Sequence, residues 1–191
     1  WHPINGETEM TRLKVLQRDD MNDEQRRVCD DIEASGGRVR GGPYWAYIRN
    51  PKFMALHQGM SDYMRGCPLT GRERQIAVLA VVRHWDSHYP WAVQVRASIE
   101  AGVDPEIIDA INARKRPDLN DPGEQAAYDV ASELVASKRV SEAAYARAEK
   151  IFGEEKLVDV VAGVGFFSMV CCTANAFDIT PPDDAPARLL D

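Results

Sequence analysis

Two segments of this chain are apolar on every side at helical spacing, and they constrain the fold more than any other feature. The first is Gln75 to Val82, and the second lies within Glu154 to Phe177. A helix that is apolar all round is buried in a core or spans a membrane. The longest apolar run, Leu157 to Cys172, is shorter than a membrane span of about 20 residues and contains Asp159, so we predict a buried helix. No window alternates as a strand does, and the sequence therefore predicts an all-α fold.

Helix start signals divide the chain. Asn22 with Gln25 and Thr70 with Glu73 each match a capping box, and Asp86 or Ser87 is expected to cap the helix that has Pro90 in its first turn. The remaining helices are predicted near Tyr44, from Pro51 to Arg65, from Pro105, from Pro122 to Ser137, from Ser141 to Phe152 and from Glu154 to Phe177. We predict a helical domain over residues 22–178, preceded by a loosely held arm (1–21) and followed by a tail (179–191).

An internal similarity links the two apolar segments. Gln75 to Val95 and Leu157 to Phe177 share an apolar stretch, a pair of ring residues and a mixed run. Two similar helical hairpins related by a pseudo-two-fold axis would produce this pattern, and so would chance.

Charge and cysteine content limit the partners and the compartment. The net charge is −7, whereas nucleic acids and anionic membranes attract basic surfaces. We therefore expect neither as a partner. The printed sequence shows no secretory signal, and its four cysteines form no Cys-x-x-Cys pair and no metal-binding spacing. We interpret them as buried free thiols in a reducing compartment, and we expect a cytoplasmic location without a metal site.

The block LTGRERQIAVLAVVRHWDSHYPWAVQVRASIEAGVDPEIIDAI, from Leu69 to Ile111, resembles the core motif of the carboxymuconolactone decarboxylase family, which has the alkylhydroperoxidase D-like (AhpD-like) fold. The resemblance extends over residues 22–178 and includes GFFSMVCCTANAF near the end of the chain. It implies an all-helical domain that assembles into homo-oligomers (dimers, trimers or hexamers) and works without a cofactor. It also implies either decarboxylation of a carboxylated lactone or, in the peroxidase branch, a Cys-x-x-Cys pair served by a glutamate and a histidine.

The chain departs from the family pattern at the positions that would carry this chemistry. By the resemblance, Gln75 occupies the place of the glutamate, Ser87 that of the first cysteine, Pro90 that of the second cysteine or a glutamate, and Gln94 that of the histidine. Amides retain hydrogen-bonding capacity but exchange no proton near neutral pH. A thiol relay is therefore excluded at these positions, and the pocket is expected to persist with altered chemistry.

His88 is the candidate that could replace the missing proton chemistry, since it opens the helix that carries Gln94 and is the imidazole nearest to the altered positions. The alternative is an exposed histidine without a role. We predict His88, Gln75 and Gln94 as catalytic residues. Four further residues are predicted to bind substrate, each with a structural alternative in an ion pair, a hydrogen bond or the core: Arg83, His84, Tyr89 and Trp91. Core positions are favoured for Tyr44, Trp45, Phe166, Phe167 and Met169, and a structural hydrogen bond for Asn175.

The leading hypothesis is a cofactor-independent, decarboxylase-like enzyme that acts on a small, carboxylated, aromatic-derived metabolite by decarboxylation, isomerisation or lactone opening. One alternative is a binding or assembly protein that has lost the acid–base relay. A weaker alternative is residual peroxidase-type thiol activity through Cys67 or the Cys171–Cys172 pair, neither of which has an activating base nearby in sequence.

Overall fold

The computed structural model describes residues 11–37, 39 and 41–190. This part of the chain forms a 3-10 turn, Arg18–Asp20, and eight α-helices without any strand, which confirms the all-α prediction. The helices are α1 (Asp23–Ala34), α2 (Tyr44–Tyr47), α3 (Pro51–Gly66), α4 (Gly71–His84), α5 (His88–Glu100), α6 (Pro105–Asn112), α7 (Pro122–Ser137) and α8 (Glu142–Ala176).

The predicted capping boxes open two of these helices. The Asn22 side chain accepts from the Gln25 backbone N–H at the start of α1, and Thr70 accepts from Glu73 at the start of α4, with both reciprocal bonds present. The prediction of a side-chain cap on α5 is wrong. Ser87 is the N-cap residue, but its hydroxyl makes no cap bond and donates instead to Asn175, 2.7 Å away. The hydroxyl that was expected to cap α5 is used instead in a tertiary contact between α5 and α8.

Helix α4 lies at the centre of the domain, where it packs against α5, α6, α7 and α8. Ile76, Leu79 and Val82 are fully buried and join residues of α5, α6 and α8 in the largest hydrophobic cluster. The prediction that Gln75 to Val82 forms a buried helix is confirmed. A second layer, built from α1, α2 and α3, packs onto the domain through contacts between α3 and α8.

Helix α8 changes direction at Gly153, whose φ of 69° and ψ of 174° lie outside the helical region. The two halves correspond to the two helices predicted on either side of this glycine. Burial of the apolar half is confirmed for one face only, because Val158 is 65% exposed and Val161 is also exposed. By length and composition alone this helix is apolar enough to cross a membrane. Its buried face packs on α4, α5 and α7, which is the environment of a core helix.

The internal similarity does not correspond to two equivalent hairpins. Residues 75–95 run through α4, a turn and most of α5, whereas residues 157–176 lie within the single helix α8. The shared pattern therefore reflects the frequency of apolar helical sequence, which was the second of the two interpretations.

Both predicted flanking segments contact the domain closely where the structure describes them. The Thr11 hydroxyl and the Arg12 N–H both donate to the Phe177 carbonyl at 2.9 Å. In the tail, Leu189 is buried in the core and the Leu190 N–H donates to Asn112 Oδ1 at 3.0 Å. Residues 11–21 are thus held more closely than the sequence predicted, and residues 1–10 lie outside the described part. The domain limits at 22 and 178 stay a prediction.

Candidate functional site

The side chain of one predicted catalytic residue, Gln75 on α4, lies near the turn of α5 that carries another, Gln94. Gln75, near the start of α4, is 7% exposed, and its Oε1 lies 3.5 Å from the hydroxyl of the fully buried Ser98 on α5. Ser98 is one turn beyond Gln94 and donates its proton to the Gln94 carbonyl at 2.7 Å. A hydroxyl has only one proton, so this shorter bond is the one that it makes. The result is a small cluster between the two helices, formed by the Gln75 side-chain amide, the Ser98 hydroxyl and the Gln94 backbone carbonyl.

The positions that would hold the thiol pair are buried at the start of α5. Ser87 and Pro90 are both enclosed, and Ser87 donates to Asn175 Oδ1. The amide of Asn175 is fixed in orientation, because its Nδ2 donates to the Trp85 carbonyl at 2.8 Å. This bears out the expectation that Asn175 makes a structural hydrogen bond. No group at position 87 or 90 can form a disulfide.

The cysteines lie elsewhere and in two environments. Cys29, Cys67 and Cys171 are buried as predicted, but Cys172 is exposed, because it falls on the uncovered face of α8. Burial raises the pKa of Cys171 to about 12, and the neighbouring Ser87 hydroxyl opposes that rise. A thiol with so high a pKa is protonated at neutral pH and is a poor nucleophile.

The structure does not bring His88 to the two glutamines. His88 is exposed at the first position of α5, six residues before Gln94. At about 1.5 Å of rise and 100° per residue, the two side chains are separated by roughly 9 Å along the axis and by more than a quarter turn around it. His84 is also exposed, at the end of α4. The catalytic role of His88 stays a prediction, and it requires a substrate that extends between the two places.

The residues predicted to bind substrate are dispersed. Arg83 is buried and donates to the Asn112 carbonyl at 2.7 Å and the Leu190 carbonyl at 2.8 Å, and it also pairs with Asp86. All three guanidinium nitrogens are thereby occupied, which corresponds to the structural alternative rather than to carboxylate binding. Trp91 is fully buried in the main core cluster, which corresponds to its core alternative, and its indole N–H has no partner among the described residues. Its role in substrate binding stays a prediction.

Tyr89 is half-buried and points to a different part of the molecule. Its ring lies so close to Gly42 that a side chain there would overlap it, and the φ of +71° at Gly42 independently favours glycine. Burial raises the pKa of the Tyr89 phenol to about 12, with a smaller contribution from Tyr44. The start of α5 therefore adjoins the segment that leads into α2.

A buried histidine on α3 was not identified from the sequence. His57 is 6% exposed and neither of its ring nitrogens has a hydrogen-bond partner within the described residues. Its ring stacks on Phe166, with centroids 5.0 Å apart, and lies 4.4 Å from Tyr47 on another side. Tyr44 meets it edge-on at 5.5 Å, and Phe53 is 6.5 Å away. We call these five residues the His57 chamber.

The two phenols of the chamber have defined hydrogen-bond directions. The Met169 carbonyl can only accept, so Thr173 donates to it and must accept from the Tyr47 hydroxyl, 3.2 Å away. Likewise the Asp62 carboxylate accepts from Gln58 Nε2, which leaves Gln58 Oε1 to accept from the Tyr44 hydroxyl at 2.6 Å. Both phenol protons are therefore committed, and both phenol oxygens retain acceptor capacity.

The imidazole of His57 is neutral near pH 7, because burial lowers its pKa to about 4. A single histidine in an amphipathic helix carries no sequence signal of this kind. Its burial depends on α2 and on the far part of α8, which are distant in the chain. Tyr44 and Phe166, predicted as core residues, are the walls of this chamber.

No three His, Cys, Asp or Glu residues in the described ranges are placed to hold a metal ion. The expectation of chemistry without a metal or an organic cofactor stays a prediction.

Comparison with known proteins supports the fold. No protein-family model matches the chain, and no curated protein does either. Two solved structures are similar over nearly the whole chain at 20% identity. An AhpD-core, uncharacterized peroxidase-related protein from Ralstonia eutropha JMP134 has a TM-score of 0.73, covering 93% of this chain and 95% of that one. An uncharacterized peroxidase-related protein from Silicibacter sp. TM1040 has a TM-score of 0.75, with 98% and 100% covered.

A third structure is similar over a smaller part. It is a protein of unknown function from Agrobacterium tumefaciens, described as a putative antioxidant defence protein AhpD, with 13% identity, a TM-score of 0.66 and coverage of 73% of this chain and 97% of that one. At these identities the comparisons establish the AhpD-like fold, and the resemblance found in the sequence is confirmed at that level.

Proposed function

We propose that this AhpD-like domain is a cofactor-independent enzyme that moves a proton on a small, carboxylated, aromatic-derived metabolite. Decarboxylation is the leading reaction, with isomerisation or lactone opening as related steps. The observation that supports this proposal is the buried amide of Gln75, which lies 3.5 Å from the Ser98 hydroxyl, one turn of α5 beyond Gln94. This region retains polar groups where the family resemblance places acid–base residues, and it contains no thiol.

Loss of CO2 from a carboxylated ring leaves an enolate, which needs hydrogen-bond donors and then a proton. The side-chain amides of Gln75 and Gln94 each provide two N–H donors that could stabilise the enolate oxygen. His88 is the proposed proton donor. Because it lies roughly 9 Å along α5 from Gln94, the substrate must extend between the amide cluster and the start of the helix.

The test is a decarboxylation assay on purified protein with a series of carboxylated lactones, following CO2 release and ring absorbance. Turnover that does not change on addition of a chelator would support the proposal. If no member of the series is turned over while a bound lactone is detected by calorimetry, the enzymatic reading fails and the binding alternative below stands.

The proposal includes the absence of thiol-peroxidase activity. Ser87 and Pro90 cannot form a disulfide, and Cys171 is held as a thiol by burial. We expect no hydroperoxide turnover in a reductant-coupled assay. A turnover that is abolished by alkylating the cysteines of the folded protein would contradict this part.

A non-catalytic binding or assembly role is the second candidate. The observation that favours it is that Gln75, Ser87, Pro90 and Gln94 include no side chain that titrates near pH 7. The double variant Gln75→Glu, Gln94→His separates the two. If only proton transfer has been lost, this variant should gain lactone decarboxylation that the parent chain lacks.

We propose that the chain forms a homo-oligomer through an uncovered apolar face. Leu56, Met60 and Tyr63 are exposed along one side of α3, and Val158 and Val161 are exposed on the adjoining α8. Contiguous apolar surface of this kind is typical of subunit interfaces. Light scattering should give a dimer, trimer or hexamer, and a stable monomer at micromolar concentration would refute this.

A soluble, cytoplasmic location completes the proposal. The net charge of −7 disfavours binding to nucleic acid or to anionic membranes, and α8 has its buried face in the core. In cell fractionation we expect the protein with the soluble cytoplasmic fraction, whereas recovery from membranes after a high-salt wash would argue against it.

A further inference from the structure

The His57 chamber contains a polar side chain that neither the fold nor the proposed reaction uses. An imidazole buried without hydrogen bonds is unfavourable, because both ring nitrogens lose their contacts with water. A phenylalanine would fill the same place between Tyr47 and Phe166 without that loss. The surrounding residues therefore indicate which class of ligand the two ring nitrogens would bind.

The walls of the chamber are flat. His57 lies between the Tyr47 and Phe166 rings, and Tyr44 meets it edge-on. Tyr44 and Phe53 are only half-buried, so they form the side nearest to solvent. Aromatic walls of this kind favour a planar ring, which stacks on one face and meets the others edge-on.

The polar groups of the chamber are mainly acceptors. The phenol protons of Tyr44 and Tyr47 are donated to Gln58 and Thr173, so their oxygens are left to accept. Neutral His57 adds one N–H donor and one acceptor nitrogen. The chamber thus offers three acceptors and one donor, which complements a ligand that carries more donors than acceptors.

The electrostatic environment disfavours an anionic ligand. Arg65 acts on the Tyr44 phenol through its charge alone and is paired with Asp62. No hydrogen bond from a charged donor to the phenol oxygens or the imidazole occurs within the described residues. A carboxylate would be desolvated there with a single donor to bind it, which is unfavourable.

We propose that the His57 chamber binds a small, neutral, planar ring that carries hydroxyl groups, of the phenol or catechol class. The ring stacks within the aromatic walls after Tyr44 or Phe53 rotates, and the two hydroxyl groups of a catechol donate to the acceptor nitrogen of His57 and to one of the two phenol oxygens. This site is separate from the Gln75–Ser98 cluster, so the test of this proposal does not depend on the proposed function.

The test is a titration of the full chain, labelled with 15N in its histidine rings, at pH 7.5. The probes are catechol, 1,2-dimethoxybenzene as the same ring without donors, and benzoate as the anion. Catechol should shift the ring-nitrogen resonances of His57, which are identified by their loss in His57→Phe. The other two probes should bind at least tenfold more weakly.

Two variants complete the design. His57→Phe should stay folded, with an unchanged or higher Tm, and should bind catechol at least tenfold more weakly than the parent chain. Tyr145→Phe, which removes an exposed phenol hydroxyl from α8, should bind it normally. The proposal is overturned if millimolar catechol leaves the His57 resonances unmoved, or if His57→Phe binds catechol as tightly as the parent chain. The first outcome decides the matter even if the variant fails to fold.

Discussion

An acid–base site usually combines hydrogen-bonding groups with a titratable side chain. In this molecule the two properties lie in separate regions, the α4–α5 cluster and the His57 chamber. Gln75 carries a side-chain amide and the Ser98 hydroxyl donates to the Gln94 carbonyl, but neither side chain changes its protonation state near pH 7. His57 can change its charge in the physiological range when it is exposed to water, yet it is buried without a hydrogen bond and stays neutral. The two regions thus show that polarity at a family's catalytic positions and the presence of a titratable group are independent properties of a fold.

The largest expected effect concerns the proton donor of the α4–α5 region. His88→Gln keeps size and hydrogen bonding but removes titration, so turnover of an identified substrate should fall by about 10²–10⁴-fold. The Tm should hardly change, since the residue is exposed. Steady-state kinetics and thermal unfolding measure both, and full activity would remove His88 from the reaction.

A pH series on the His57 chamber should show the next largest effect. Folding lowers the pKa of His57 from 6.5 to about 4, so the unfolded chain binds the extra proton between these values. Its contribution to stability is fully present above about pH 6.5 and is lost as the pH falls towards 4, by up to roughly 3 kcal/mol. Urea unfolding at several pH values measures this. His57→Phe should remove that part of the pH dependence and His84→Phe should retain it; equal slopes in both variants would contradict the assignment.

Gly42→Ala tests the contact between the start of α5 and the segment that leads into α2. A methyl group there would overlap the Tyr89 ring, and φ is +71°, so we expect a loss of about 2–3 kcal/mol in unfolding free energy. The matched control is Gly59→Ala on α3, where the added carbon meets open space. That change should stabilise the protein by about 0.5–1 kcal/mol. Similar effects at the two positions would mean that the contact with Tyr89 carries no strain.

The smallest effect is expected within the α4–α5 cluster. Ser98→Ala removes a buried hydroxyl that donates to the Gln94 carbonyl, and it should cost about 1 kcal/mol in chemical denaturation. Ser137→Ala also removes a hydroxyl that donates to a backbone carbonyl, that of Arg139 at 2.6 Å, but at an exposed site. It should change stability by less than about 0.5 kcal/mol. If Ser98→Ala is equally mild, the cluster is not held by this hydroxyl.

Local signals in the sequence predicted the helices well. Asn22 with Gln25 and Thr70 with Glu73 fix helix starts through atoms only three residues apart, so no tertiary information is needed. Ser87 shows the limit of this reasoning, since Asn175, 88 residues away, takes its hydroxyl.

The candidate site was predicted less well for the same reason. The family resemblance pointed to Gln75 and Gln94, whose catalytic roles stay a prediction. It did not predict that the Arg83 guanidinium would donate to backbone carbonyls or that Trp91 would be buried in the core. His57 was missed because its environment comes from three separate helices, which no periodicity in α3 can reveal.

The bonds made by Arg83 also bear on the order in which the molecule becomes stable. Its guanidinium reaches the carbonyls of Asn112 and Leu190, 29 and 107 residues further along the chain. Closing so long a loop costs chain entropy, and contacts with a surface that has already formed offset this cost. We therefore expect the C-terminal segment to dock after α4 and α6 have assembled. The Leu190 amide, whose hydrogen bond goes to Asn112, would then acquire protection from hydrogen exchange among the last in refolding.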